Sequence, residues 1–184
     1  MTTCAVIDFE TRSLKLNAYL LSAGITSFEL EQTNTWEELE TNSWHIVFDN
    51  RGQDDRTSDY DTVSWWKEQP EKTFALATQG ELTYPLQVGM FRLAEYIKQN
   101  KVEYLIGNGC TFDNMIFRHA CREAQIDYPL PYWADLDLRS MKLLAGRPNI
   151  VFPKDKIPHY ALHDAIFEAQ CVQQYWAICN APRL

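Results

Sequence analysis

The first apolar run of this chain, Cys4–Phe9, closes on acid, in the triplet Asp8-Phe9-Glu10. Two more acids occupy similar positions much later: Asp113 after the turn Gly107-Asn108-Gly109, and Asp164 within the apolar stretch that begins at Ala161. A carboxylate without compensation in apolar surroundings is costly, so the fold must supply something to offset these. In a strand, residues i and i+2 point the same way. Asp8 and Glu10 therefore share one face, and Phe9 turns to the other, into the core. Two carboxylates on neighbouring same-face positions repel unless a cation lies between them. The alternative for the pair is a solvated strand end.

The rest of the chain reads as strands first, then strands mixed with helices. Ala18–Glu31 and Trp44–Asp49 follow Cys4–Phe9 as β-rich runs, close enough in sequence for an antiparallel meander. Arg51–Asp61 is a polar loop. Asp61 or Thr62 can cap a short helix through Trp65 and Trp66, stopped before Pro70. Pro85–Asn100 has apolar residues at helical spacing, with Pro85 suited to the first turn. Val102–Ile106 is a strand, Phe112–Gln125, Leu136–Leu144 and Ala161–Ile178 are helices, and Gly146–Pro158 is a proline-bearing loop. This order gives an α/β sandwich: a mixed sheet of about five strands with helices on both faces.

The 184 residues, 46% of them hydrophobic, suit a single domain with a real core. Seventeen basic against 25 acidic residues leave a net charge of −8, which argues against coating long stretches of nucleic acid. An enzyme that holds only the last few nucleotides of a strand is compatible with that balance. Cys4, Cys110, Cys121, Cys171 and Cys179 are odd in number and lack C-x-x-C spacing. Neither a disulfide framework nor a thiolate zinc site is indicated, and free thiols fit a reducing compartment. With no secretory signal and no membrane-length apolar run, the expectation is cytoplasmic.

Four carboxylates can converge if divalent cations neutralise them, and paired cations are the usual apparatus for cutting a phosphodiester. Asp113 also has a structural reading, as a first-turn aspartate favoured by the helix dipole. His159, on the loop before the last helix, could take a proton from water, since its ordinary pKa is near neutrality; it could equally cap the helix. His159-x-x-x-His163 could be read as a zinc pair, but no Glu lies between them and no third N/S ligand is evident.

Taken in order, D-x-E at Asp8 and Glu10, G-N-G-x-x-F-D ending at Asp113, and H-x-A-x-x-D from His159 to Asp164 resemble the three exonuclease motifs of the DEDDh branch of the DnaQ-like superfamily. Within it the chain is most similar to bacteriophage exonuclease A and related small bacterial 3′-5′ exonucleases and exoribonucleases. Trp65-Trp66-Lys67-x-Gln69 and Asp137-Leu138-Arg139-Ser140 extend the likeness. The resemblance implies a ribonuclease H-like fold and a 3′-5′ exonuclease that releases nucleoside 5′-monophosphates. It implies two Mg²⁺ or Mn²⁺ ions held by Asp8, Glu10, Asp113 and Asp164, with His159 as general base. Glu10 and the backbone at Thr11 would meet the terminal 3′-hydroxyl.

DNA is the expected substrate on the phage likeness (the location would then be the host cytoplasm), with RNA 3′ ends as the alternative; a homodimer is compatible. A non-catalytic ribonuclease H-like binding domain is the rival from another class. Among weaker candidates, Trp65 and Trp66 point about 100° apart on a helix, so at most one stacks on a terminal base and the other packs. Phe112 could wedge against a base or join the core. Asn108 could donate to a phosphate or brace its turn. Arg139 could meet a phosphate or pair with Asp135 or Asp137. Lys154 and Lys156 are candidate phosphate contacts.

Overall fold

The protein is described by a computed structural model covering residues 1–109 and 111–181; Cys110, within the second motif, lies outside the described residues. Six strands form one sheet in the order β4-β3-β2-β1-β5-β6. β1 (Thr3–Thr11), β2 (Leu20–Glu29) and β3 (Ser43–Phe48) make the expected antiparallel meander. β5 (Tyr104–Gly107) runs parallel to β1, β6 (Asp135–Asp137) parallel to β5, and β4 (Thr83–Tyr84) parallel to β3. The two outermost strands, of two and three residues, bring the sheet from the expected five strands to six; segments so short carry no readable alternation.

Helices cover both faces. Ala5, Ile7 and Phe9 of β1 join a core with α4 (Leu86–Gln99) and α5 (Asp113–Glu123). Cys4 and Val6 join the opposite core with α1 (Trp36–Thr41), α6 (Leu138–Leu144) and α7 (Ala161–Cys179). This parity sends Asp8 and Glu10 toward α7 and seats Phe9 against Phe117, ring centroids 6.2 Å apart. β2 is buried along nearly its whole length because both its faces are covered, which is why its sequence alternates only in part.

α2 (Tyr60–Glu68) and α3 (Glu71–Thr78) lie on either side of Pro70. α1 and α3 were not expected. α1 is one and a half turns long and is closed by a capping box, in which Thr35 accepts from the Glu38 N–H and Glu38 reaches back to the Thr35 N–H. Among the described residues no helix is long and apolar enough to cross a membrane.

Candidate active site

Asp8 and Glu10 stand at the C-terminal end of β1. The register against β2 shifts between Glu10 and Thr11, an irregularity that bends a strand and re-aims its side chains. Asp113 opens α5, 2% exposed, and its Oδ1 accepts the Phe9 N–H at 3.1 Å, which ties the second motif to the first. Gly107 permits that approach. A Cβ there would stand 2.9 Å from the Asp113 Cβ and 2.3 Å from the Asn114 amide oxygen. Asp164, in the first turn of α7, accepts the His159 N–H at 2.7 Å. Gly24, facing Asp8 in the strand register, lets α7 sit directly on the sheet: a Cβ at Gly24 would lie 2.1 Å from the Ala161 carbonyl oxygen.

These residues line one cleft of about 760 Å³ together with His159, Trp65, Asn108, Phe112 and Arg139, a volume in the range of small-ligand sites. Carboxylate oxygens of Glu10 and Asp164 and a ring nitrogen of His159 all lie within 4.8 Å of one another. The Asp8 Oδ2 is shut off from solvent and has no hydrogen-bond partner among the described residues.

Burial holds every acid of this cluster toward its protonated form. Glu10 is pushed up to about 8, by burial first and then by the charges of Asp164 and Asp113. Burial lifts Asp113 to about 7 against the pull of backbone N–H groups and Arg139, and lifts Asp164 to about 7 against the His159 N–H. Asp8 rises well above the usual carboxylate range through burial and the charges of Glu10, Asp113, Glu168 and Asp164. Two carboxylates ~4–5 Å apart repel by roughly 3–4 kcal/mol at an effective dielectric of 20, so ionisation of the whole set needs counter-charge. Hard divalent cations take oxygen ligands of this kind, and the donor set fits them.

Trp65 and Trp66 divide as expected of neighbours on a helix. Trp66 is 3% exposed, packs with Leu21 and Ala77, and donates its Nε1–H to the Thr11 carbonyl at 2.8 Å. Its burial corrects the reading of Trp66 as a stacking surface. Trp65 is 38% exposed and stands edge-on to His159, ring centroids 4.9 Å apart. The Thr11 hydroxyl donates to the Ser13 carbonyl, so its side chain is engaged within the loop. Phe112 is half-buried, packs on the α5-side core and still reaches the cleft.

Arg139 donates to Asn108 at 3.2 Å, while Asp135 pairs with Arg118 rather than Arg139. Lys154 and Lys156 do not line the cleft, and the Lys156 ammonium lies 4.8 Å from the Trp36 ring centroid. His163 is turned away from the acids. Its Nδ1 accepts the Ile157 N–H, and its ring meets Trp36 and Tyr160 edge-on, which removes the basis for a His159–His163 zinc pair.

One acid escaped the sequence reading. Glu168, 6% exposed, lies one turn beyond Asp164 on α7 and lines the same cleft. Burial and the charges of Asp113 and Asp164 raise it well above its ordinary range. Its i, i+4 spacing from Asp164 was the available signal, since such positions share a helix face.

The model of the Rv2179c-like 3′-5′ exoribonuclease domain family matches residues 3–176. No curated protein sequence matches the chain. The nuclease domain of 3′hExo, a DEDDh family member bound to rAMP, superposes with a TM-score of 0.61 at 12% identity, over 94% of this chain and 90% of that one. E. coli exonuclease I in complex with a dA13 oligonucleotide gives 0.61 at 15% identity, over 100% of this chain and 42% of that one. The exonuclease I of Methylocaldum szegediense gives 0.56 at 13%, again with 42% of its length covered. The chain thus spans about two fifths of the exonuclease I proteins, and at these identities the likeness establishes the ribonuclease H-like fold.

Proposed function

Because the chain belongs to the Rv2179c-like 3′-5′ exoribonuclease domain family, we propose that it trims single-stranded RNA from the 3′ end, releasing nucleoside 5′-monophosphates, with its 184 residues working as one catalytic domain. The broader activity is that of a DEDDh-type 3′-5′ exonuclease, a hydrolase of phosphodiester bonds. The observation that carries the reading is the meeting of Asp8, Glu10, Asp113 and Asp164 with His159 in one cleft. DNA is the second reading, favoured by the exonuclease I relatives seen with single-stranded DNA.

Asp8, Glu10, Asp113 and Asp164 would hold two divalent cations, Mg²⁺ or Mn²⁺. When bound, such cations activate water and stabilise the leaving 3′ oxygen. His159 takes the proton of the attacking water. Burial lowers its pKa, so the ring is neutral near pH 7 and ready to accept. Its main-chain N–H clamps Asp164 and its ring rests against Trp65, so loop, acid and base are fixed together. Trp65 offers its exposed part to the terminal base, and Glu10 with the Thr11 backbone meets the 3′-hydroxyl. A terminus without a free hydroxyl lacks that contact, and an internal nucleotide has none to offer.

The test is purified protein with 5′-labelled single-stranded RNA or DNA of one sequence, in Mg²⁺, Mn²⁺ or chelator. Stepwise shortening from the 3′ end, faster on RNA and stopped by chelator or a 3′-phosphate, is expected. Faster shortening of DNA would favour the second reading. Internal cuts, or no cation requirement, would overturn both.

A further inference from the structure

Beyond the four motif carboxylates the cleft is lined by Asp61, which is exposed, and by Glu168, which is buried. Glu168 stands on the same face of α7 as Asp164, one turn further along. It is more than nine-tenths buried, yet among the described residues its Oε2 has no hydrogen-bond partner, in common with the Asp8 Oδ2. The Asn108 side chain, which accepts from Arg139, favours the charged form of Glu168, as does Arg139 itself. Both lie on the side of the second motif and line the same cleft. Asp113 is the acid that acts on Glu168 most strongly, and Asp8 in turn feels its charge. Glu10, His159 and Asp164 form a close group in the same cleft.

A buried carboxylate oxygen left without a donor costs the fold its desolvation penalty. A glutamine would fill the same space without the charge. A buried acid with an unpartnered oxygen, lining the same cleft as Asp8 and Asp113, has the donor chemistry that hard cations take.

We infer that Glu168 is a fifth cation-holding carboxylate, serving with Asp8 and Asp113 the cation opposite the Glu10–His159–Asp164 group, directly or through one water. Asn108 and Arg139 are its positioning residues. The inference rests on the two-cation reading of the same cleft, and the experiment separates the two.

Calorimetric titration of the full chain with Mn²⁺ alone, without nucleic acid, is run on wild type, Glu168→Gln and Glu168→Asp, each checked for fold by circular dichroism. Wild type is expected to take up two equivalents. Glu168→Gln should weaken one of them by ~10–100-fold, the scale seen when groups supporting a metal site are removed, and leave the other unchanged. Its melting temperature in chelator should equal or exceed that of wild type, because an acid whose charged form burial disfavours is replaced by a neutral amide of the same size. Should Glu168→Gln fail to fold, Glu168→Asp decides: it keeps the charge and withdraws the carboxylate by one methylene, and the same single equivalent should weaken. Two equivalents of unaltered affinity in the folded variant would overturn the role of Glu168 while leaving the two-cation site standing. Failure of wild type to bind Mn²⁺ at all would overturn both.

Discussion

His159 sits in the left-handed backbone region at φ 58°, a conformation uncommon outside glycine but tolerated by histidine. That turn points its N–H at Asp164 and its ring at Trp65, so one residue holds the acid and sets its own imidazole beside it. The H-x-A-x-x-D resemblance named His159 and Asp164 together, but the N–H bond between them was not legible in the sequence. Sequence could not separate Trp65 from Trp66 either, because adjacent helical residues differ only in which side the sheet lies. The separation came from the Thr11 carbonyl, which captures one indole N–H. Burial lowers the His159 pKa from 6.5, and the acids beside it, themselves held toward protonation, do not restore it. With cation and substrate saturating and the chemical step limiting, the rate should therefore climb toward pH 6.5 and level off above it. His159→Asn should abolish that limb and slow cleavage by ~10²–10⁴-fold, the usual worth of a general base. A limb that survives in His159→Asn would remove His159 from that role.

At the scale of elements, the site depends on how closely α7 lies on the sheet. Ala161 and Ala165 are small, and the contact is closed from the other side by Gly24, whose significance no single strand reveals. Long elements were readable: the meander, α4, α5 and α7 follow from periodicity and caps. The short ones, α1, α3, β4 and β6, depend on neighbours distant in sequence. Gly24→Ala should push the first turn of α7 away, at a cost of ~1–3 kcal/mol for overpacking. For a chain of this size that lowers the melting temperature by ~2–4 °C per kcal/mol. Turnover should fall as well, because the displaced turn carries Asp164. A melting temperature within a degree of wild type would mean that α7 is not seated this closely.

For the whole molecule, a net charge of −8 opposes the approach of a polyanionic substrate. The motif acids, however, are gathered in one cleft, where bound cations would offset their charge. That concentration makes stability depend on pH in an unusual direction. Glu10, held at about 8, and Asp113 and Asp164, held at about 7, keep protons in the folded state that the unfolded chain has already released. Stability is therefore lost as pH rises from the ordinary carboxylate range through these values. Neutral histidines act the other way. His45, held down to about 4, and the lowered His159 and His163 add stability as pH rises through 6.5, a gain that dies away about one unit above it. In the window from pH 6.5 to 8 the acids therefore dominate.

The most direct measurement is the melting temperature across that window, in chelator and in excess Mn²⁺, for wild type and Asp8→Asn. In chelator the wild-type value should fall steadily from pH 6.5 to 8. Mn²⁺ should raise it most at pH 8, and Asp8→Asn should flatten the fall and blunt the response to Mn²⁺. A wild-type melting temperature that is level or rising across the window in chelator, and unmoved by Mn²⁺, would contradict a cleft of crowded acids built to hold cations.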